Sequence, residues 1–353
     1  MNTCFIPKFT SINPYQEKLS QGLERLGIKS EGIEERKPYL PEEIQHRNAQ
    51  LLHIHWLHEF YSANSLIGTI KPLIKFILGL IIVKLQGIKI IWTAHNIRHH
   101  EQKYPLIDRI CTLSVVLVAN AIIVHSEAAK KELIKDLPFD IAHKAYVIPH
   151  ANYIEQYQNS ISHSEARKQL DIPDSKIVFL FLGLIRPYKG VVELIEAFEE
   201  LNHPEAFLLI AGKSRDQQLT NTIQAKADTN PAVQFIPGFV ADDDIQTYMN
   251  AADVVTFPYK NILTSGAVML AMSFGRACLA PKKDCITEVL DTEGAFLYDP
   301  ALKAGLLSAM QEAIRKKDLA SGMGEYNYRK AKAWDWNHVA KSTLAVYETC
   351  LTD

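Results

Sequence analysis

At 353 residues the chain is longer than one hydrophobic core usually serves, so two domains are expected. Its composition, 47% hydrophobic and 22% charged, is that of a globular protein, and a net charge of −2 excludes a generally basic nucleic-acid binder. Five scattered cysteines, odd in number and without a CxxC pair, fit reduced thiols in the cytosol and exclude a disulfide framework or a cysteine zinc site.

The opening MNTCFIPKFT lacks a basic region followed by an apolar run, so no leader peptide is expected. After a short first strand, Asn13-Pro14-Tyr15 starts a helix that runs to about 26 and is stopped by Gly27. A polar, irregular stretch follows to about 50. Then come a strand at 51–56 and the loop Leu57-His58-Glu59-Phe60-Tyr61. The helix at about 65–86 has two readings. It is a buried helix of the first domain, or its apolar FILGLIIV between Lys75 and Lys84 lies on an anionic bilayer surface. Spanning is excluded, because eight apolar residues are far short of the roughly 20 a membrane needs. The surrounding charge is lopsided: Lys71, Lys75, Lys84, Lys89, Arg98, Lys103 and Arg109 are opposed only by Glu101 and Asp108.

Strand 88–93 is continuously apolar, the pattern of a strand buried on both faces. A helix to about 118, a strand at 121–125, a helix capped by Ser126 and a strand at 145–149 complete the first half. Such alternation of strand and helix predicts a parallel sheet, whose ligands sit beyond the carboxyl ends of its strands. His55, His58, His95, Asn96, His125, Ser126 and His150 all fall at or just past those ends. A neutral histidine offers one donor and one acceptor, which suits a hydroxyl-rich ligand. A metal is not expected: His99-His100-Glu101 are consecutive and do not converge as an i, i+4 pair does.

The polar stretch 151–164 reads as a linker. Beyond it the alternation resumes, with strands at 177–182, 206–211, 233–236 and 253–257 and helices between them. The first of these strands leads into Gly183-Leu184-Ile185-Arg186-Pro187-Tyr188-Lys189-Gly190. There Arg186 can hold a phosphate with two parallel bonds while Lys189 acts as a point charge. The last leads into FPYKNILTSGAVMLAMSFGRACLAP, residues 257–281. Its helix opens with Thr264-Ser265-Gly266, which reads either as a plain N-cap or as an anion site at a helix N-terminus. No GxGxxG follows the first strand and no GxxxxGKS/T occurs, which removes the main support for dinucleotide and P-loop readings. Helices cover about 301–331, and a terminal helix follows Trp334-Asp335-Trp336.

Taken together, FLGLIRPYKGVVELIEAF (181–198), VQFIPGFV (233–240), residues 252–281, IPHANY (148–153) and WTAHN (92–96) resemble the family 4 (group 1) glycosyltransferases. The resemblance implies the α/β GT-B fold, with two Rossmann-like domains facing across a cleft. It implies an acceptor-binding domain at 1–160, a nucleotide-sugar-binding domain at 161–334, and a terminal helix at 335–353 returning to the first domain. The function implied is hexosyltransferase-type: a sugar passes from a nucleotide-diphosphate sugar to a glycan, glycolipid or lipid-linked acceptor in polysaccharide biosynthesis. No metal and no cofactor are implied, and the family retains anomeric configuration. Arg186, Lys189, Asn261, Thr264, Ser265 and Gly266 would meet the donor's diphosphate and sugar. Gly238, Phe239, Val240 and Glu288 would meet its base and ribose, and His95 would contact the donor sugar. Asn13, Tyr15, His55, His58 and Asn96 would lie on the acceptor side. Separately from the resemblance, the cysteine usage gives a cytoplasmic location as the expectation, and the basic cluster with the lysine-flanked helix gives a peripheral contact of residues 65–109 with the inner face of an anionic membrane.

Two departures stand out. The family's two glutamates, eight residues apart, are replaced by Ile262 and Leu270, with Asn261 and Glu288 as candidate substitutes. The arginine that usually follows the loop's first glycine is Leu184, leaving Arg186 to serve from two residues on. These gaps motivate the alternatives: a non-catalytic sugar-nucleotide or glycan binder, or another GT-B enzyme such as a sugar-nucleotide epimerase.

Overall fold

A computed structural model of the chain describes residues 1–8, 14–34, 40–60, 66–96, 104–263 and 265–352. It divides into two compact units, residues 1–150 with 335–353, and residues 151–334.

The first unit opens with β1 (Asn2–Ile6), α1 (Tyr15–Arg25), β2 (Lys29–Gly32), α2 (Leu40–His46) and β3 (Leu51–Ile54). It continues through α3 (Leu66–Leu85), β4 (Lys89–Thr93), α4 (Pro105–Val118), β5 (Ala121–Val124), α5 (Glu127–Asp136) and β6 (Ala145–Val147). Its strands form one parallel sheet in the order β2-β1-β3-β4-β5-β6. The direction of winding reverses between β1 and β3. Right-handed crossovers therefore put α3 and α4 on one face of the sheet and α1 on the other.

The second unit starts with α6 (His163–Gln169), β7 (Ile177–Leu182), α7 (Val191–Leu201), β8 (Ala206–Gly212), α8 (Gln217–Thr229) and β9 (Val233–Pro237). Next are α9 (Ile245–Ala251), β10 (Val254–Thr256), α10 (Gly266–Ser273), β11 (Ala277–Pro281), α11 (Asp284–Thr287) and β12 (Ala295–Tyr298). Two helices, α12 (Gly305–Arg315) and α13 (Ala320–Lys332), close it. Its sheet is also parallel, in the order β12-β11-β10-β7-β8-β9, so its winding reverses between β10 and β7. Every residue of β7 is buried, as its run of six apolar side chains requires of a central strand covered on both faces.

The terminal helix α14 (Trp336–Thr352) belongs to the first unit and packs on α1. Contact is close because α1 carries Gly22: a Cβ there would lie 2.8 Å from the Ala340 Cβ and 3.2 Å from the Trp336 carbonyl oxygen. The His53 Nδ1 and the Tyr347 hydroxyl, 2.6 Å apart, add a buried polar link between β3 and α14.

Some boundaries differ from the sequence reading. The stretch before residue 50, expected to be irregular, holds β2 and α2, and β12 was not foreseen. The unit boundary falls at 150/151 instead of 160/161, because residues 151–160 are bonded to the second unit. Asn250 Nδ2 donates to Asn159 Oδ1 at 2.7 Å, the Ser160 N–H donates to Gln246 Oε1 at 2.9 Å, and the Tyr153 N–H donates to Ser273 Oγ at 2.9 Å.

Candidate active site

In an open parallel sheet the crevice forms where the winding reverses, because the loops leaving adjacent strands part to opposite faces. In the second unit that place lies between the loops after β7 and β10; Arg186 and Lys189 lie on the first of these loops and Asn261, Ser265 and Gly266 on the segment after β10, whereas Gly238, Phe239 and Val240 follow β9 and Glu288 follows α11.

The β7 loop passes Arg186 into one turn of 3-10 helix, Pro187–Lys189, and then turns at Gly190. Gly190 has φ +70°, and a Cβ on it would lie 2.1 Å from the Pro258 carbonyl oxygen, so no side chain fits. That close approach locks the cationic loop onto the segment after β10, and the Lys260 N–H donates to the Tyr188 oxygen at 2.9 Å. Lys189 is thereby half-buried, with its Nζ 5.9 Å from the Tyr259 ring centroid. Burial strips the amine of hydration and Arg186 adds a like charge, so its pKa is pulled down to about 8.

Tyr259 is 3% exposed, and its hydroxyl is hydrogen-bonded to the Ser265 side chain. Ser265 in turn caps α10, its Oγ accepting from the Val268 N–H at 3.2 Å. A continuous set of contacts thus runs from Lys189 through Tyr259 and Ser265 to the N-terminus of α10, which begins at Gly266. The cap reading of Ser265 is correct, and the capped terminus stands beside the cationic loop. Thr264 lies outside the described residues.

Along the same carboxyl edge, Gly238 closes β9 by donating its N–H to the Gly212 oxygen at 3.1 Å. It presents Phe239, 60% exposed, and then Val240, half-buried. A large apolar ring held in solvent at a strand's carboxyl end suits stacking on a planar base. Asn261 and Glu288 are exposed, the latter just past α11. Ile262 and Leu270 are half-buried, and the Cys285 thiol donates to the Ile262 oxygen at 3.1 Å. Sequence reasoning missed Tyr259 and Lys213. The first could have been noticed as a tyrosine directly after the Phe257-Pro258 strand end. The second is exposed just past β8, where its carbonyl accepts from the Ile185 N–H at 2.9 Å.

In the first unit the winding reverses between β1 and β3. His55, His95 and His125 lie one or two residues past the ends of neighbouring strands β3, β4 and β5, so the sheet sets the three rings side by side. His55 Nδ1 is 3.0 Å from His95 Nε2, and His95 Nδ1 is 3.2 Å from His125 Nε2. Tyr15 stands edge-on to His55, His95 and His125 with ring centroids 4.8–5.9 Å away, and Trp56 stacks on His95 at 4.5 Å and 15°. Burial and the neighbouring imidazoles hold His55 and His95 well below the usual histidine range, and burial takes His125 down to about 3. All three are neutral.

Tyr15, His55 and His95 are therefore interior residues, 1%, 0% and 6% exposed, whereas His58 and Asn96 are half-buried at the edge. His58 Nε2 lies 3.2 Å from Glu59 Oε1. Asn13, His99, His100 and Glu101 lie outside the described residues. Among the described residues no group of three or more His, Cys, Asp or Glu is arranged to hold a metal ion.

A family model described as "Glycosyl transferases group 1" matches residues 162–330, nearly all of the second unit. The chain is 24% identical over 268 residues to a GDP-mannose:glycolipid 4-beta-D-mannosyltransferase of Xanthomonas campestris pv. campestris, covering 75% of this chain and 71% of that protein. A lipopolysaccharide 1,2-N-acetylglucosaminetransferase of Salmonella typhimurium is 25% identical over 206 residues, 55% of this chain and 54% of that one. Among solved structures, a sucrose-phosphate synthase of Thermosynechococcus elongatus superposes with a TM-score of 0.77 at 16% identity, over 99% of this chain and 98% of that one. Anabaena Alr3699/HepE in complex with UDP and glucose does so at 0.75 and 18% identity, over 99% and 100%.

Proposed function

This chain belongs to the group 1 glycosyltransferases, and from that membership we propose that its second unit holds the donor through the site between the β7 and β10 loops. The chain transfers a sugar from a nucleotide-diphosphate sugar in glycan biosynthesis. On our reading the sugar is a hexose. Arg186, Lys189 and the N–H groups at the start of α10 take the diphosphate, Phe239 stacks on the base, and Asn261 and Glu288 reach the sugar and ribose. The observation that carries this is the meeting of the cationic loop with the capped N-terminus of α10, joined through Tyr259. As the nucleoside diphosphate leaves, negative charge develops on its phosphates, and fixed cations and N–H groups stabilise it without a metal. Incubating the protein with UDP-, GDP- and ADP-sugars in EDTA is expected to release nucleoside diphosphate slowly from at least one donor. Tight nucleotide binding with no turnover on any donor or acceptor would make the protein a binder instead.

The acceptor we propose is a glycolipid or lipid-linked glycan at the cytoplasmic face of a membrane. The relatives named for glycolipid and lipopolysaccharide acceptors support this, and so does the outer surface of the first unit. Helix α3 buries Leu73, Phe76, Leu80 and Val83, as a buried helix should. Its opposite side exposes Ile70, Ile74, Leu78, Ile81 and Leu85, and the neighbouring α4 exposes Leu106, Ile110 and Leu117. Exposed Lys71, Lys75 and Arg109 lie among them, while Asp108, the one acid of the two helices, is buried. No helix among the described residues is long and apolar enough to cross a membrane. The helix is thus buried on one side and suited to a bilayer surface on the other, where each inserted aliphatic side chain contributes about 1.5–3 kcal/mol and each cation about 1 kcal/mol. Flotation with anionic vesicles is expected to fall as salt rises and to drop more than about tenfold for Ile74→Asp with Leu78→Asp. No flotation of the unaltered protein at low salt would remove the membrane from the reading.

A further inference from the structure

The pairing of β7 with β8 continues past the ends of the two strands. Leu182 lies opposite Ala211, and further on, in the same register, Ile185 lies opposite Ser214, with the Ile185 N–H donating to the Lys213 oxygen at 2.9 Å. Leu184 therefore falls opposite Lys213. Side chains alternate along an extended pair, so the buried Ile185 and half-buried Ser214 take one face, and the exposed Leu184 and Lys213 take the other. The two backbones stay close, since a Cβ on Gly212 would lie 1.9 Å from the Gly183 oxygen. The turn after Lys213 is also held. The Asp216 N–H donates to Ser214 Oγ at 3.0 Å, and Asp216 Oδ1 caps α8 by accepting from the Leu219 N–H at 3.1 Å. On its other side β8 pairs with β9, Gly212 opposite Pro237, which sets Lys213 level with Gly238.

The carboxyl edge thus presents Lys189, Lys213 and Phe239 in the order of the neighbouring strands β7, β8 and β9. The Lys189 ammonium stands over the end of β7, because a Cβ on Gly183 would lie 3.8 Å from its Nζ. Phe239 follows β9, two strand spacings or about 10 Å away. Lys213 stands between them on a fixed backbone, and among the described residues no carboxylate pairs with it. A nucleoside diphosphate is linear: base, ribose, the inner phosphate esterified to the ribose, then the outer phosphate that carries the sugar. With its base on Phe239 and its outer phosphate at Lys189, its middle crosses the end of β8. We propose that Lys213 holds the inner phosphate, as a further donor-binding cation beside Arg186 and Lys189. The proposal rests on the donor reading of the second unit. From the next strand, and opposite Leu184 in register, Lys213 supplies the charge that Leu184 does not. When the sugar–phosphate bond breaks, new negative charge develops on the outer phosphate, so Lys213 grips ground state and transition state alike.

The test is titration calorimetry of the whole chain with uridine, guanosine, adenosine and thymidine and with their mono- and diphosphates. It is run on the unaltered protein, Lys213→Gln, Lys213→Arg and Lys189→Ala. Lys213→Gln is expected to weaken monophosphate and diphosphate by the same factor, about ten- to a hundredfold, the range for a hydrogen bond to a charged group. The bare nucleoside should bind as before, and Lys213→Arg should keep most of the affinity. Lys189→Ala should weaken the diphosphate far more than the monophosphate. In donor turnover, Lys213→Gln should raise KM with kcat nearly unchanged, because uniform binding is what it loses. Unchanged nucleotide affinity in Lys213→Gln would overturn the proposal. So would a loss confined to the diphosphate, a loss shared by the nucleoside, or a fall in kcat at unchanged KM. Failure of the unaltered chain to bind any of these nucleotides would instead overturn the donor reading itself and the proposal with it, a result seen before any variant is made.

Discussion

Lys189→Ala is expected to lower kcat/KM for the nucleotide-sugar donor by about a hundred- to a thousandfold, the range for removing one preorganised donor from developing oxyanion charge. Affinity for the nucleoside diphosphate should fall strongly and affinity for the nucleoside hardly at all, and Arg186→Ala should act in the same direction. Titrations with both ligands separate the outcomes: equal losses would show that the loop does not hold the diphosphate. The pH dependence follows from the same enclosure. With a pKa of about 8 in the free protein, Lys189 is mostly charged at neutral pH and loses its proton as pH rises through that value. A bound diphosphate favours the charged amine, so binding above pH 8 requires proton uptake. Diphosphate affinity is therefore expected to be level up to about pH 7.5 and to weaken steadily towards pH 9.5. Lys189→Arg, whose guanidinium stays charged, should flatten that decline even if it binds less well.

Arg167→Met is expected to destabilise the second unit by about 3–5 kcal/mol, the cost of breaking a buried ion pair. Arg167 is 1% exposed and lies at the foot of the sheet, away from the donor site. Its Nε donates to the Ala251 oxygen at 3.1 Å, one Nη donates to the Asp174 and Lys176 oxygens at 2.9 Å each, and the other donates to Asp253 Oδ2 at 2.6 Å. Asp253 Oδ2 also accepts the Val178 N–H at 2.7 Å, so the pair ties α6, β7 and the start of β10 together. Calorimetry should show the unit melting roughly 6–20 °C lower, and Arg167→Lys should recover only part, since an ammonium cannot reach all four acceptors. A shift below 2 °C would mean the pair is not structural. Burial works to raise the Asp253 pKa, but hydrogen bonds from His163 and the Val178 N–H, with the charge of Arg167, outweigh it and hold the carboxyl below its usual range. Its stabilisation is therefore present above roughly pH 4 and lost as acid protonates it. Arg167→Met should remove that part of the acid sensitivity.

What local pattern could show, the sequence shows. Buried apolar runs such as Ile177–Leu182, the caps at Ser126 and Ser265, and regular strand–helix alternation specify two parallel α/β sheets, because periodicity and capping depend on residues a few positions apart. The cationic loop could be placed after a strand for the same reason. Two strands escaped because both lie at sheet edges. Lys29–Gly32 pairs only with β1, and Ala295–Tyr298 only with β11, so neither needs a long apolar run to be held.

Strand order is different in kind. It decides where each sheet reverses its winding, and it follows from pairings between residues far apart in the chain. Only the folded sheets therefore bring the loop of Lys189 against that of Tyr259, 70 residues on, or align His55, His95 and His125 at three neighbouring strand ends. Sequence position identified those histidines as polar residues at strand ends that could meet a ligand. Their burial, shared hydrogens and neutral state depend on what packs over them: Tyr15 and the Ile148 carbonyl come from other places in the chain, and Trp56, next to His55 in sequence, stacks on His95 after the neighbouring strand. Residue types and their spacing thus determined the chemistry available to this protein. Which groups face one another, and which proton sits where, was decided by long-range packing that no local pattern encodes.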